Sequence, residues 1–148
     1  MGLGSPGRFI RDIADALRFF TRLRVGEWEP GAPLDIDRIA WAAPVAGVAV
    51  GLVGALILAL AALLGLPPLL RAAFATAALI AATGALHEDG LADVADGFGG
   101  GATWARKLEI MRDSRIGAYG ALATALALIL RVGALSAALD GEIGRAHV

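Results

Sequence analysis

The sequence has no cysteine. That excludes disulfides, thiolate zinc sites and a cysteine nucleophile. It has almost no net charge, −1 over 148 residues, so no global field draws it to nucleic acid. It lacks the short apolar core and cleavage site of a secretory leader, and its first residues carry charge instead. Above all, no Lys, Arg, Asp, Glu or His lies between Arg38 and Arg71.

What is present is apolar surface. The chain is 57% hydrophobic, with a mean hydropathy of +0.69. Residues 39–64 alone would make a helix of about 39 Å at 1.5 Å per residue, longer than the bilayer core of about 30 Å. The composition therefore predicts an all-α, multi-pass membrane protein with a single membrane domain over 1–148. Three spans are expected, at about 39–64, 69–86 and 116–139, with Arg131 interrupting the third and Arg71 snorkelling from the second. Leu66-Pro67-Pro68 marks the turn between the first two. Small residues recur down the first span at Ala43, Gly47, Gly51, Ala55 and Ala59, and down the third at Gly117, Ala121 and Ala125. Such stripes suit close approach of another helix, including one from a homo-oligomer partner; that Ala and Gly are simply frequent here is an equal alternative.

Residues 8–24 place Phe9, Ile13, Leu17, Phe20 and Leu23 at helical spacing, with arginines on the other side. This pattern predicts an amphipathic helix lying at the membrane interface, with a soluble partner-binding helix as the alternative. Residues 25–37 hold two prolines and two glycines and read as a loop. A second short amphipathic helix is expected at 103–113, capped by Thr103, after the close-approach run Gly99-Gly100-Gly101. Residues 1–38 carry six Lys/Arg and residues 87–115 carry four, whereas the turn between the first two spans carries only Arg71. Positive segments stay cytoplasmic, so the N-terminus and 87–115 are both expected on the inner face of the cell membrane.

The polar chemistry is concentrated in HEDGLADVADGFGGG (87–101). Asp89, Asp93 and Asp96 are related by i+4 and i+7, which puts them within about 60° of one another on a helix. Like charges so placed repel, more strongly beside a low-dielectric membrane. A divalent cation removes that repulsion, and all-oxygen donors suit Mg²⁺ bridged to substrate phosphates. The alternative is a solvated acidic loop. The segment is no EF-hand, because position twelve from Asp93 is Trp104. His87, two residues before Asp89, is a candidate general base or phosphate contact, with a purely structural histidine as the alternative. Downstream, Arg112-Asp113-Ser114-Arg115 places two guanidiniums three apart where the third span opens. They suit a diphosphate, with the span's first amides adding to anion binding. A purely topological role for these arginines is the alternative.

The segments GALHEDGLADVADGFGGG (84–101) and LEIMRDSRIGAYG (108–120) resemble the cobalamin synthase family, adenosylcobinamide-GDP ribazoletransferase. Phe20-Thr21-Arg22 and Pro44 with Gly47 and Gly51 add to the likeness, although the family usually has Phe before the proline and this chain has Ala43. The resemblance implies a Mg²⁺ site served by Asp89, Asp93 and Asp96, with His87, Asp113 and Arg115 in the same site. Arg112 and Arg115 would hold the leaving phosphate. The implied reaction joins α-ribazole, or its 5′-phosphate, to adenosylcobinamide-GDP and releases GMP. Family members are longer, with more spans. The closing EIGRAHV (142–148) matches an in-frame translation of a common sequencing adapter, so the native gene is expected to continue past about Gly141. Two rival readings stand beside this one: a CDP-alcohol-type membrane phosphotransferase, whose Ala-Arg after Asp-Gly is lacking here, and a non-enzymatic cation-binding subunit.

Overall fold

The computed structural model describes residues 6–25 and 35–145, and every element in them is helical. The elements are α1 (Pro6–Phe20), α2 (Ile36–Ile39), a 3-10 turn (Ala40–Ala42), α3 (Ala43–Leu63), α4 (Pro68–Thr83), α5 (Leu86–Gly100), α6 (Trp104–Met111) and α7 (Ala118–Arg145). Most of the expected loop at 25–37 lies outside the described residues. Its end is helical, because the Asp35 side chain accepts from Arg38 N–H and caps α2.

Among the described residues two helical stretches are long and apolar enough to cross a membrane, Ile36–Leu63 and Ala118–Gly141, and the bent pair Pro68–Thr83 with Leu86–Gly100 makes a third if it is one broken span. Only 17% and 6% of the apolar windows of the first two are buried by the rest of the chain. Side chains so apolar and so uncovered need lipid or further protein around them. α3 and α4 form a hairpin. Pro44 sits in the first turn of α3, where no amide partner is needed. Gly65, in the left-handed region, and Pro67 reverse the chain, and Pro68 opens α4.

The hairpin does not pack on the expected small-residue stripe. The buried residues of α3 are Ala46, Gly54 and Ala61, and Gly54 takes the Leu79 side chain. Gly47 and Gly51 have open space where a Cβ would stand. Spacing finds small residues but not which of two similar faces meets the neighbour.

The second span also differs from its expectation. α4 has 16 residues, about 24 Å, shorter than a bilayer core. The helix axis then turns by 86° into α5. Two consecutive left-handed residues, Gly84 (φ 65°) and Ala85 (φ 62°), make the turn. Arg22 N–H donates to Ala82 O at 2.7 Å, and the Arg22 side chain lies over Gly84 where a Cβ would stand. The chain after α1 therefore braces this corner.

α1 is not a helix with only its apolar face engaged. Ala16 is buried with Ile39 and Ala42, and Ile13, Phe19 and Phe20 pack around them. Its acidic residues face inward as well. Arg38 Nη2 meets Asp15 Oδ2 at 2.5 Å and Arg38 Nε meets Asp12 Oδ1 at 3.4 Å. Trp41 Nε1 donates to Asp12 at 3.4 Å, and Phe9 stacks on the Trp41 ring at 4.5 Å.

Candidate active site

The aspartate segment is a helix, as its spacing predicts, but not a free loop. α5 packs lengthwise against α7 and is covered at its far end by α6. Thr103 caps α6 by accepting from Arg106 N–H at 3.2 Å, as expected. Phe98, Trp104 and Lys107 then close the α5–α6 corner, with the Lys107 ammonium 4.1 Å from the Phe98 ring centroid.

The three aspartates do not share one surroundings. Asp89 and Asp93 line a cavity of about 260 Å³ with Ala92, Met111, Arg112, Asp113, Ser114 and Arg115. Neither enters an ion pair among the described residues. Asp96 is 9% exposed. Its Oδ2 accepts from Gly117 N–H at 2.7 Å and its Oδ1 from Gly120 N–H at 2.8 Å. The expected anion-binding amides of the third span thus hold a carboxylate of the chain itself, where the helix dipole favours negative charge. A Cβ at Gly117 or Gly120 would run into that carboxylate. Among the described residues, no three His, Cys, Asp or Glu side chains converge as a set to hold a metal ion. The expected trio is therefore reduced to a pair, with Asp96 turned onto the backbone of α7.

His87 also departs from the expected constellation. It lines a separate cavity of about 210 Å³ with Phe20, Ala43, Ala46, Gly47, Val50 and Thr83. Two residues along a helix is a rotation of about 200°, so His87 and Asp89 leave α5 on nearly opposite sides. Helical geometry alone held this signal.

The arginines of 112–115 behave differently from each other. Arg115 is folded back on Asp113, with Nη2 2.6 Å from Oδ2 and Nε 3.1 Å from both oxygens. Its own amide donates to Asp113 Oδ1 as well. This guanidinium lowers the Asp113 pKa from 3.8 to about 2, and the Asp113 carboxylate raises that of Arg115 in turn. Arg112 is exposed at the rim of the cavity and in no ion pair among the described residues. Among the described residues the site thus presents two carboxylates in no ion pair, Asp89 and Asp93, in one cavity with Arg112, also in none, and the carboxylate-held Arg115. Such a surface suits a polyanion carried with a cation.

The cobalamin-5-phosphate synthase (CobS) family model matches residues 12–146. The chain belongs to this family. Among curated proteins, it is 56% identical over 137 residues to the adenosylcobinamide-GDP ribazoletransferase of Azorhizobium caulinodans, covering 90% of this chain and 50% of that protein. It is 52% identical over 141 residues to the protein of the same name from Mesorhizobium japonicum, covering 92% and 52%. The chain spans about half the length of the curated relatives it matches. No solved structure matches it. In this CobS-family chain, one polar residue escaped the reading of the sequence. Glu88 faces α7 and meets Arg131 at 2.8 Å. A charge inside an apolar span asks for a partner, and Arg131 was the signal.

Proposed function

We propose that this chain carries the cation- and diphosphate-binding part of a membrane transferase that joins α-ribazole, or its 5′-phosphate, to adenosylcobinamide-GDP with release of GMP. The observation that carries the reading is that Asp89 and Asp93 open onto the same cavity as Arg112 and Arg115. The relatives' name, adenosylcobinamide-GDP ribazoletransferase, supports adenosylcobinamide-GDP as one substrate; the form of the ribazole and the release of GMP are part of the proposal.

Mg²⁺ fits the donor set. Asp89 and Asp93 are one helical turn apart, all-oxygen and free of arginine. Mg²⁺ commonly takes one or two carboxylates and completes its shell with water and phosphate oxygens. When bound, it supplies charge neutralisation to the diphosphate. Arg112 and Arg115 hold the phosphate that leaves with the nucleoside. The ribazole hydroxyl oxygen bonds to the cobinamide-side phosphorus, the bond from that phosphorus to the bridging oxygen breaks, and GMP departs with that oxygen. The hydroxyl proton passes to a carboxylate of the cavity, for which His87 is on the wrong side of α5. Asp113 orients Arg115. In this reading the N-terminus and the cavity lined by Asp89 and Asp93 open to the cytoplasmic side of the inner membrane.

The test is GMP release in membranes carrying the complete reading frame. The reading predicts release from adenosylcobinamide-GDP only with α-ribazole and Mg²⁺ together. Transfer from a CDP-alcohol instead, or cation binding with no nucleotide chemistry, would overturn it.

A further inference from the structure

We propose that the Glu88–Arg131 ion pair is a strut inside the membrane-spanning part that fixes the depth and roll of α5, making both positioning residues for Asp89 and Asp93. The proposal rests on the transferase reading for what α5 positions, but not for the strut itself.

Arg131 lies thirteen residues past Ala118, about 20 Å along α7 at 1.5 Å per residue, within an apolar span. A guanidinium there is costly unless paired. Its partner comes from another helix, 43 residues away in sequence: Nη1 donates to Glu88 Oε1 at 2.8 Å. The Glu88 side chain is 13% exposed, and its second oxygen is buried without a hydrogen-bond partner among the described residues. Arg131, whose own side chain is 46% exposed, is therefore the one cation that meets this carboxylate among the described residues. Among the described residues this is the one ion pair joining α5 to α7.

The second tie is at the other end of α5, where Asp96 holds the Gly117 and Gly120 amides. Glu88 and Asp96 are eight residues apart, about 12 Å along the helix and about 80° around it. Two ties so separated fix both tilt and rotation. Asp89 and Asp93 lie between them, rotated about 20° and about 60° past Asp96. That rotation turns them off α7 and toward the cavity beside Arg112 and Arg115. Releasing Arg131 removes the ion pair that holds the end of α5 next to Asp89, leaving apolar packing and the corner at Gly84 and Ala85.

The experiment uses the complete reading frame in lipid vesicles, with Glu88→Gln, Arg131→Gln, Arg131→Lys and the reciprocal Glu88→Arg/Arg131→Glu. Two quantities are read per mole of inserted protein. One is kcat and KM for GMP release. The other is the rate at which a water-soluble maleimide labels Ala92→Cys, since Ala92 is 7% exposed against α7. The strut predicts that either glutamine variant lowers kcat by about 10- to 100-fold, the usual scale for groups that orient site residues, with KM little changed. It also predicts several-fold faster labelling, near wild-type behaviour for Arg131→Lys, and recovery of slow labelling in the reciprocal variant. Labelling rates unchanged in both glutamine variants would overturn it. A wild-type protein that releases no GMP, but whose labelling responds to Arg131→Gln, would sink the transferase reading and leave the strut standing.

Discussion

The Asp96 carboxylate accepts a hydrogen bond from Gly120 N–H at 2.8 Å, joining α5 to the first turn of α7. A second bond, from Gly117 N–H, makes Asp96 the cap of a helix to which it does not belong. Charge-assisted bonds of this kind contribute about 1.5–3 kcal/mol each. Asp96→Ala is therefore expected to lower the thermal midpoint of the detergent-solubilised protein, and Asp96→Asn to lower it less, because the amide oxygen still accepts. Equal midpoints for wild type and Asp96→Ala would contradict the cap.

Asp89 and Asp93 have no such structural employment. Asp89→Asn and Asp93→Asn are expected to insert normally and keep the thermal midpoint, while GMP release falls by about 100-fold or more. His87→Ala, on the far side of α5, is expected to retain most activity. Loss of activity in His87→Ala as deep as in Asp93→Asn would return the imidazole to the reacting centre.

The Asp113–Arg115 pair predicts a pH dependence. The Asp113 carboxyl is lowered in the folded chain from 3.8 to about 2 by the Arg115 guanidinium. Its stabilising contribution is therefore fully present above about pH 4, and is lost as pH falls from there through about 2. Asp113 stays charged at every pH where the protein is assayed, so an acid limb in the pH–activity profile above pH 4 belongs to another group. Asp113→Asn is expected to raise KM by loosening Arg115 while leaving that limb in place. A limb that disappears in Asp113→Asn would overturn this assignment.

The corner between α4 and α5 carries a strained residue. Ala85 has φ 62°, a conformation that costs a residue with a Cβ about 1–2 kcal/mol. Ala85→Gly is expected to raise stability by up to about 1 kcal/mol, measured by chemical denaturation in detergent. Gly84→Ala is expected to lower it, since its φ is 65° and Arg22 lies where the Cβ would go. The opposite signs would place the corner elsewhere.

Much of this was legible in the residues. The uncharged run after Arg38 announced α3, the 3.6-residue period announced α1 and α6, and the i+4 spacing of Asp89 and Asp93 put them on one face. The failures share a cause: they are decided by which neighbour arrives. Asp96 lies on the same helical face as Asp89, but the amides of Gly117 and Gly120 reach it first. The stripe through Gly47 and Gly51 is as small as the face through Gly54, but Leu79 meets only the latter. The 86° corner needs two left-handed residues, and a lone Gly-Ala in an apolar run does not declare them.

The central claim is that Asp89 and Asp93 hold the cation while Asp96 holds the fold. Binding of Mn²⁺, as a paramagnetic stand-in for Mg²⁺, to the complete protein in the presence of GDP tests it most directly. Wild type and Asp96→Asn are expected to bind with similar affinity, and Asp89→Asn and Asp93→Asn at least about tenfold more weakly. Unchanged binding in the latter two, or equal loss in Asp96→Asn, would contradict the claim.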